Sequence, residues 1–173
     1  VRKGFECEYY PDFFEHFANY RDNFGYEILI LGHHTIKDRS VDSFSVSKPA
    51  EVIRYANEVC EGLETGFYTF LAHPDVILNA YPAELDKPAL DAMRQIFTLC
   101  EEKNIPVEIN ANGYNYKRGY PNWRVWEAAA EFPNLICIVG ADAHTVPDLT
   151  CPAVDECKNK ARELGLNLIE KLD

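Results

Sequence analysis

The stretch YANEVCEGLETGFYTFLAHPDVI, residues 55–77, holds a helical pattern, a stop and a strand-type run in direct succession. Apolar residues recur at helical spacing as far as Leu63, and Gly66 then supplies a helix stop. The run TFLA at 69–72 is short and apolar, as in a buried strand, and His73 follows it directly. This succession is typical of α/β proteins with a parallel sheet.

The same alternation extends along the chain. Strands are predicted at 5–9, 27–31, 69–72, 106–110 and 135–140, and a last one is expected at 167–172. Helices are predicted at 11–24, 50–64, 123–132 and 152–164, and a further helix begins at Pro88. Asn122 is expected to cap the helix at 123–132. No repeat, low-complexity tract or linker separates these elements, so we predict a single domain over residues 1–173.

Composition and charge limit the class of function. The chain is 47% hydrophobic and carries a formal net charge of -11, which argues against a nucleic-acid surface, because such a surface needs clustered Lys and Arg. No apolar run of about 18 residues occurs, so we expect a cytoplasmic protein without membrane partners. The six cysteines do not form matched CxxC pairs and are interpreted as buried free thiols.

Ligand-type side chains lie where the predicted strands end. They are Glu6 and Glu8 at the first strand, His33 and His34 after the second, His73 after the third, Asn110 and Asn112 at the fourth, and Asp142 and His144 after the fifth. In parallel α/β folds the loops after the strands meet at one edge, where binding sites form. Carboxylates and imidazoles together are the ligands of catalytic Zn, Mn or Fe centres, so a shared metal site is predicted.

Each of these residues also has a simpler interpretation. A histidine after a strand is often a loop residue hydrogen-bonded to backbone, and Glu8 could be a solvated carboxylate. The Asp-X-His pattern at 142–144 is weak evidence by itself. His16 lies in a helical pattern and is interpreted as a surface or packing residue. Only the combination of all the strand-end residues favours metal binding.

Five segments taken together carry a resemblance to a known family. They are GFECEYY (4–10), LILGHHTI (29–36), the stretch at 55–77, VEINANGY (107–114) and VGADAH (139–144). As a set they resemble the PHP family of metal-dependent phosphoesterases, and within it the histidinol-phosphatase branch. The segments span most of the chain, and AHPD followed at this distance by EIN and GADAH is the most specific part.

The resemblance implies a fold and a metal centre. Family members are similar to a TIM barrel, with a distorted seven-stranded β/α barrel that holds up to three Zn, Mn or Fe ions. Carried over to this chain, the resemblance implies Glu6 as a bridging ligand and His34, His73, Asp142 and His144 as the other ligands. His33 departs from the residue usual at its position, so either histidine of the adjacent pair could bind metal, and His34 is favoured.

The resemblance further implies hydrolysis of a phosphomonoester, with L-histidinol phosphate as substrate in histidine biosynthesis. The expected reaction is in-line attack on phosphorus by a hydroxide that two metal ions activate. The expected catalytic residues are Glu6, His33, Asp142 and His144, with His33 or His144 as proton donor to the leaving alkoxide, and the expected substrate-binding residues are Asn110, Lys117 and Arg118. An Arg fork suits phosphate geometry, although Arg118 could equally belong to a solvated surface turn.

Two features depart from the family pattern. PHP proteins carry a His-X-His pair on the first strand, which this sequence lacks, and the sequence predicts five or six strands rather than seven. We expect that the first βα units lie upstream and that this C-terminal portion is an incomplete catalytic unit; a family member that has lost the pair is the alternative.

Other functions are compatible with the same motifs. They are a PHP-type nuclease, which the charge of -11 disfavours, a phosphotyrosine phosphatase and a non-catalytic metal-binding domain. The expected partner is a small phosphorylated substrate, and a homo-oligomer is compatible with the sequence.

Overall fold

The computed structural model describes residues 2–37, 39–82 and 84–172. The strands are β1 (Gly4–Cys7), β2 (Ile28–Leu31), β3 (Thr35–Ile36), β4 (Val41–Asp42), β5 (Phe70–Leu71), β6 (Val107–Asn110), β7 (Ile136–Gly140) and β8 (Asn167–Leu168). Six of them form one parallel sheet in the order β1-β2-β5-β6-β7-β8, and β3 and β4 form a separate antiparallel hairpin. The sheet therefore follows chain order, with its helices in the connections between parallel strands.

Six α-helices accompany the sheet in the described part of the chain. They are α1 (Phe14–Phe24), α2 (Pro49–Glu64), α3 (Lys87–Lys103), α4 (Ala111–Asn115), α5 (Trp123–Ala129) and α6 (Ala153–Glu163). Short 3-10 turns lie at Pro11–Phe13, Ser43–Ser45, Val76–Leu78 and Pro147–Thr150. Among the described residues, no helix combines the length and the apolar character that a membrane crossing needs.

The helix ends follow from the local sequence. Asp86 caps α3, because its side chain accepts a hydrogen bond from the backbone N–H of Ala89 at 2.9 Å. Asn122 caps α5 by accepting from the N–H of Arg124 at 3.1 Å, which confirms the predicted cap. After α2, Gly66 has a φ of 69°, a left-handed conformation that glycine adopts without strain, so the helix stops where the sequence predicts.

The core joins the sheet to helices α2, α3 and α5. Helix α2 packs against α3, and α3 packs against α5. All four residues of β6 are buried, as expected for a central strand of a parallel sheet. Trp126 and Phe97 are among the largest fully buried side chains, and their ring centroids lie 5.8 Å apart. The six cysteines are free thiols, of which four are buried, and this confirms their interpretation for those four.

The structure adds elements that the sequence did not predict. The hairpin β3–β4 and helix α4 lie in segments predicted as loops. Strands of two residues and a helix of five are too short for hydrophobic periodicity to reveal them. The predicted parallel α/β sheet is confirmed. Within the described residues this sheet is open, with β1 and β8 at its edges, so a closed barrel is not observed there.

Candidate metal centre

Three candidate ligands converge at the carboxyl-terminal edge of the sheet. Glu6 lies in β1, and His34 and His73 follow β2 and β5, which are neighbouring parallel strands. One ligand atom of each side chain lies within 4.8 Å of those of the other two. The Oε1 atom of Glu6 is 3.1 Å from Nε2 of His73 and 3.6 Å from Nε2 of His34. We call these three residues the ligand triad.

The ligand triad fits a divalent transition metal. A tetrahedral ion with bonds of about 2.1 Å holds its ligand atoms about 3.4 Å apart. The two distances from Oε1 of Glu6, 3.1 and 3.6 Å, bracket that value. Two imidazoles and one carboxylate are also donors that Zn, Mn and Fe sites combine. Gly32 makes room for the carboxylate, because a Cβ atom there would lie 1.7 Å from Oε1 of Glu6.

Glu8 holds His34 in a defined orientation. Its Oε1 atom is 2.9 Å from Nδ1 of His34, and both carboxylate oxygens lie 3.0 Å from the backbone nitrogen of that residue. Because the carboxylate accepts from Nδ1–H, the Nε2 atom keeps its lone pair for a metal. Burial raises the pKa of Glu8, but the contacts with His33 and His34 outweigh this effect and lower the pKa to about 2. The carboxylate is therefore ionised at neutral pH.

His33 is enclosed between two carboxylates. Its side chain is 1% exposed, its Nε2 is 3.1 Å from Oε2 of Glu58, and its Nδ1 is 3.4 Å from Oε2 of Glu8. Burial lowers the pKa of His33, but the contacts with Glu58 and Glu8 raise it more, so the net shift of the pKa is upward. Since both ring nitrogens face protein carboxylates, His34 is the member of the adjacent pair with the geometry of a ligand.

The main chain of His73 is fixed by a buried carboxylate. Its φ of 29° lies in the left-handed region, which is uncommon for a residue with a side chain. The backbone N–H of His73 donates to Oε2 of Glu108 at 3.2 Å. Burial raises the pKa of Glu108. The nearby charge of His73 lowers this pKa, but it is the smaller effect. Gly140 gives Glu108 its space, since a Cβ atom there would lie 1.6 Å from Oε1 of that residue.

Asp142 and His144 lie on the loop after β7, two strand positions from β5. The Nδ2 atom of Asn110 donates to Oδ2 of Asp142 at 3.0 Å and to Oε2 of Glu108 at 3.3 Å. Hydrogen bonds thus connect Asp142 to the backbone of His73. His144 is 71% exposed and its Nδ1 donates to the backbone oxygen of Asp142 at 2.8 Å. Among the described residues, the structure gathers three of the five predicted ligands into one group, and these two lie outside it.

The predicted substrate-binding residues differ in their surroundings. Asn110 is fully buried, and its side-chain oxygen accepts a backbone hydrogen bond at the start of α4, which favours a structural role. Lys117 and Arg118 are exposed and line a cavity of about 610 Å³ that no member of the ligand triad lines. The guanidinium of Arg118 donates to the hydroxyl of Tyr120 at 2.7 Å. The Tyr120 ring also lines the cavity and lies 6.1 Å from the ring of His73, so this side chain links the cavity to the triad.

Two buried or half-buried carboxylates near the site were not singled out from the sequence. Asp75, in the AHPD segment, is fully buried, and its Oδ2 accepts from the backbone N–H of Asn122 at 2.6 Å and from Nε1 of Trp126 at 3.0 Å. Burial raises the pKa of Asp75 to about 6. Its place two residues after His73 was the available signal. Glu58 gave no signal, because a glutamate on the polar face of a helix is ordinary.

We expect Gly32→Ala to weaken metal binding without unfolding the protein. The three atoms nearest to the added methyl group, at 1.7, 2.5 and 2.7 Å, all belong to the flexible side chain of Glu6, which would have to move. Zinc affinity should fall about 10-fold or more, as when other supports of a ligand are lost. Isothermal titration with zinc measures the affinity, and thermal unfolding checks that the fold is kept. Unchanged zinc affinity would contradict the placement of Glu6 as a ligand.

The fold is shared with a phosphatase of known structure. The protein is similar to the crystal structure of histidinol phosphate phosphatase from Lactococcus lactis subsp. lactis, which is a complex with zinc, L-histidinol and phosphate. The TM-score is 0.72 at 15% sequence identity, and the match covers 98% of this chain and 68% of that one. No family model and no curated protein sequence matches the chain. The likeness confirms the α/β fold of histidinol-phosphatase type that the motifs predict.

Proposed function

We propose that the protein is a metal-dependent phosphomonoesterase of the histidinol-phosphatase type. The observation that carries this proposal is the ligand triad at the carboxyl-terminal edge of a parallel sheet. Carboxylates surround the triad, so this edge attracts cations and would repel a phosphate ester without them. The fold likeness to a phosphatase crystallised with zinc supports the same function.

The proposed centre holds divalent ions, namely Zn, Mn or Fe and up to three in all. Glu6, His34 and His73 would hold one ion, and Glu6, Asp142 and His144 are proposed to hold a further one. When bound, such ions polarise a phosphoryl oxygen and lower the pKa of water. The carboxylate of Glu8 keeps Nε2 of His34 available by accepting from Nδ1 at 2.9 Å.

The remaining side chains are proposed to serve the substrate. Arg118 and Lys117 would neutralise the phosphoryl oxygens from the rim of the cavity. As an alternative to metal ligation, the doubly protonated ring of His144 would donate the Nε2 proton to the leaving alkoxide, while its Nδ1–H stays bonded to the backbone oxygen of Asp142. His33 fits this role less well, because it is 1% exposed. Asn110 would act through Asp142, to which it donates.

L-Histidinol phosphate is the proposed substrate, and histidine biosynthesis the proposed pathway. The sequence segments of the histidinol-phosphatase branch support this choice, as does the neighbour with L-histidinol and phosphate in its crystal structure. The same proposal includes the distorted β/α barrel of the PHP family as the fold of the active enzyme.

Phosphate release after loading with zinc, manganese or iron tests the proposal. L-Histidinol phosphate should be hydrolysed faster than p-nitrophenyl phosphate, a phosphotyrosine peptide or single-stranded DNA. A chelator should abolish the activity, and the metal should restore it. Preferred turnover of the peptide or the DNA would support those alternatives instead. Zinc binding without release from any substrate would support a non-catalytic metal-binding domain.

Arg118→Ala is expected to raise KM for L-histidinol phosphate about 10-fold, with a smaller change in kcat and unchanged zinc content. Arg118 lines the cavity and donates to Tyr120, whose ring lies 6.1 Å from that of His73, and it makes no contact with the ligand triad. Steady-state kinetics and metal analysis measure these quantities. Arg124→Ala is the matched control, because Arg124 is 70% exposed and paired with Glu127 on α5. Equal KM and kcat values in the two variants would mean that Arg118 is a solvated residue of a surface turn and does not bind substrate.

A further inference from the structure

A line of paired side chains runs from helix α2 to the ligand triad. It leads from Glu58 through His33 and Glu8 to His34, with nitrogen–oxygen distances of 3.1, 3.4 and 2.9 Å. We propose that Glu58 and His33 are positioning residues, which set the metal affinity of the centre by fixing Glu8 behind His34. This inference rests on the proposed metal centre and does not depend on the identity of the substrate.

Glu8 is the member of this line that needs support. Its Oε1 accepts from Nδ1 of His34, while its Oε2 faces Nδ1 of His33 at 3.4 Å. The carboxylate is 21% exposed, so water can compete for it. A ligand histidine keeps its tautomer and orientation only while its carboxylate partner stays in place. A second protein partner that holds Glu8 in place, here His33, therefore helps to keep Nε2 of His34 directed at the metal site.

Glu58 is anchored independently of the metal centre. Its Oε1 accepts from Nε of Arg54, one helical turn earlier, at 2.7 Å and from the backbone N–H of Lys37 at 3.4 Å. Helix α2 has 16 residues and packs against α3, so it is a rigid support. The other oxygen, Oε2, faces His33, and the helix thereby determines the direction of that ring.

His33 transmits this support because it has little freedom of its own. It is 1% exposed, and its ring lies 5.5 Å from the ring of Tyr55. Its backbone oxygen accepts from Oγ of Ser43 at 3.2 Å. Without Glu58, the buried Nε2 of His33 would lose its partner, which is unfavourable. The ring would then turn towards Glu8 and compete with His34 for that carboxylate.

Glu58→Ala in the full chain is the test, with zinc alone as the probe. We expect zinc affinity, measured by competition with a chelator, to fall about 10- to 100-fold. Nitrogen NMR of the zinc-free protein should show that His34 loses its single Nδ1–H tautomer, a change that mere loosening of helix α2 would not produce. Glu58→Gln keeps an oxygen acceptor for His33 and should restore most of the affinity. Glu64→Ala, an exposed glutamate on the same helix, is the matched control.

A second variant tests the same inference if Glu58→Ala fails to fold. His33→Phe fills the same buried space without either ring nitrogen, and we expect the same loss of zinc affinity. Affinity equal to that of the unchanged protein in both variants would overturn the inference. Zinc binding that depends on Glu58, together with absent phosphatase turnover, would support this inference and overturn the proposed function alone. Absence of zinc binding by the unchanged protein would overturn both.

Discussion

Glu6→Gln is expected to lower phosphatase turnover about 1000-fold or more, because loss of metal stabilisation at phosphorus removes several kcal/mol. The substitution replaces an anionic ligand by a neutral amide of the same shape. The Oε1 atom of Glu6 lies within 3.6 Å of Nε2 of both His34 and His73, and Glu6 is the anionic member of the triad. Zinc affinity, measured by titration, should fall together with turnover.

The fold should survive this change. The side chain of Glu6 is 36% exposed, and Gly32 leaves space beside it, so the amide creates neither a cavity nor a clash. Thermal unfolding should therefore show a small shift of Tm in the zinc-free protein. Glu27→Gln is the control, since Glu27 is 55% exposed and paired with Arg2. Turnover and zinc affinity that match those of the control would contradict the role of Glu6 as a ligand.

The sequence predicted the sheet well because its strands and helices differ in hydrophobic periodicity. The run at 69–72 and the segment LICIVG at 135–140 correspond to β5 and β7, and their neighbours follow the same rule. Closure of the sheet is a different matter. Whether edge strands meet depends on twist and stagger accumulated over all the strands, which no local pattern specifies.

The position of the site was predictable for a similar reason. The contacts that orient its histidines were not. Parallel strands bring their carboxyl ends to one edge, so Glu6, His34 and His73 could be expected to meet there. The choice between His33 and His34 depends on which way each ring turns in the loop after β2. One ring nitrogen of His33 faces Glu58, 25 residues further along the chain, and this contact has no signature in the sequence. Metal sites thus show their ligands in sequence more readily than the residues that orient them.

Among the substitutions proposed, replacement of the buried Asp75 is expected to lower the free energy of unfolding most. Asp75→Ala should lower the free energy of unfolding by about 3 kcal/mol, because two buried donors lose their acceptor. These donors are the backbone N–H of Asn122 and Nε1 of Trp126, which lie 2.6 and 3.0 Å from Oδ2. Trp126 is fully buried against Phe97, so water cannot replace the lost acceptor easily. Urea unfolding with an unchanged m-value measures the loss.

Asp75→Asn separates the hydrogen bonds from the volume and the charge of the side chain. The amide oxygen can still accept from both donors, and the amide is neutral in a fully buried position where a carboxylate is disfavoured. We therefore expect this variant to lose less than about half of the stability that Asp75→Ala loses. Equal losses in the two variants would mean that the negative charge, rather than the acceptor oxygen, stabilises the segment. A loss near zero for Asp75→Ala would mean that Trp126 and Asn122 find other acceptors.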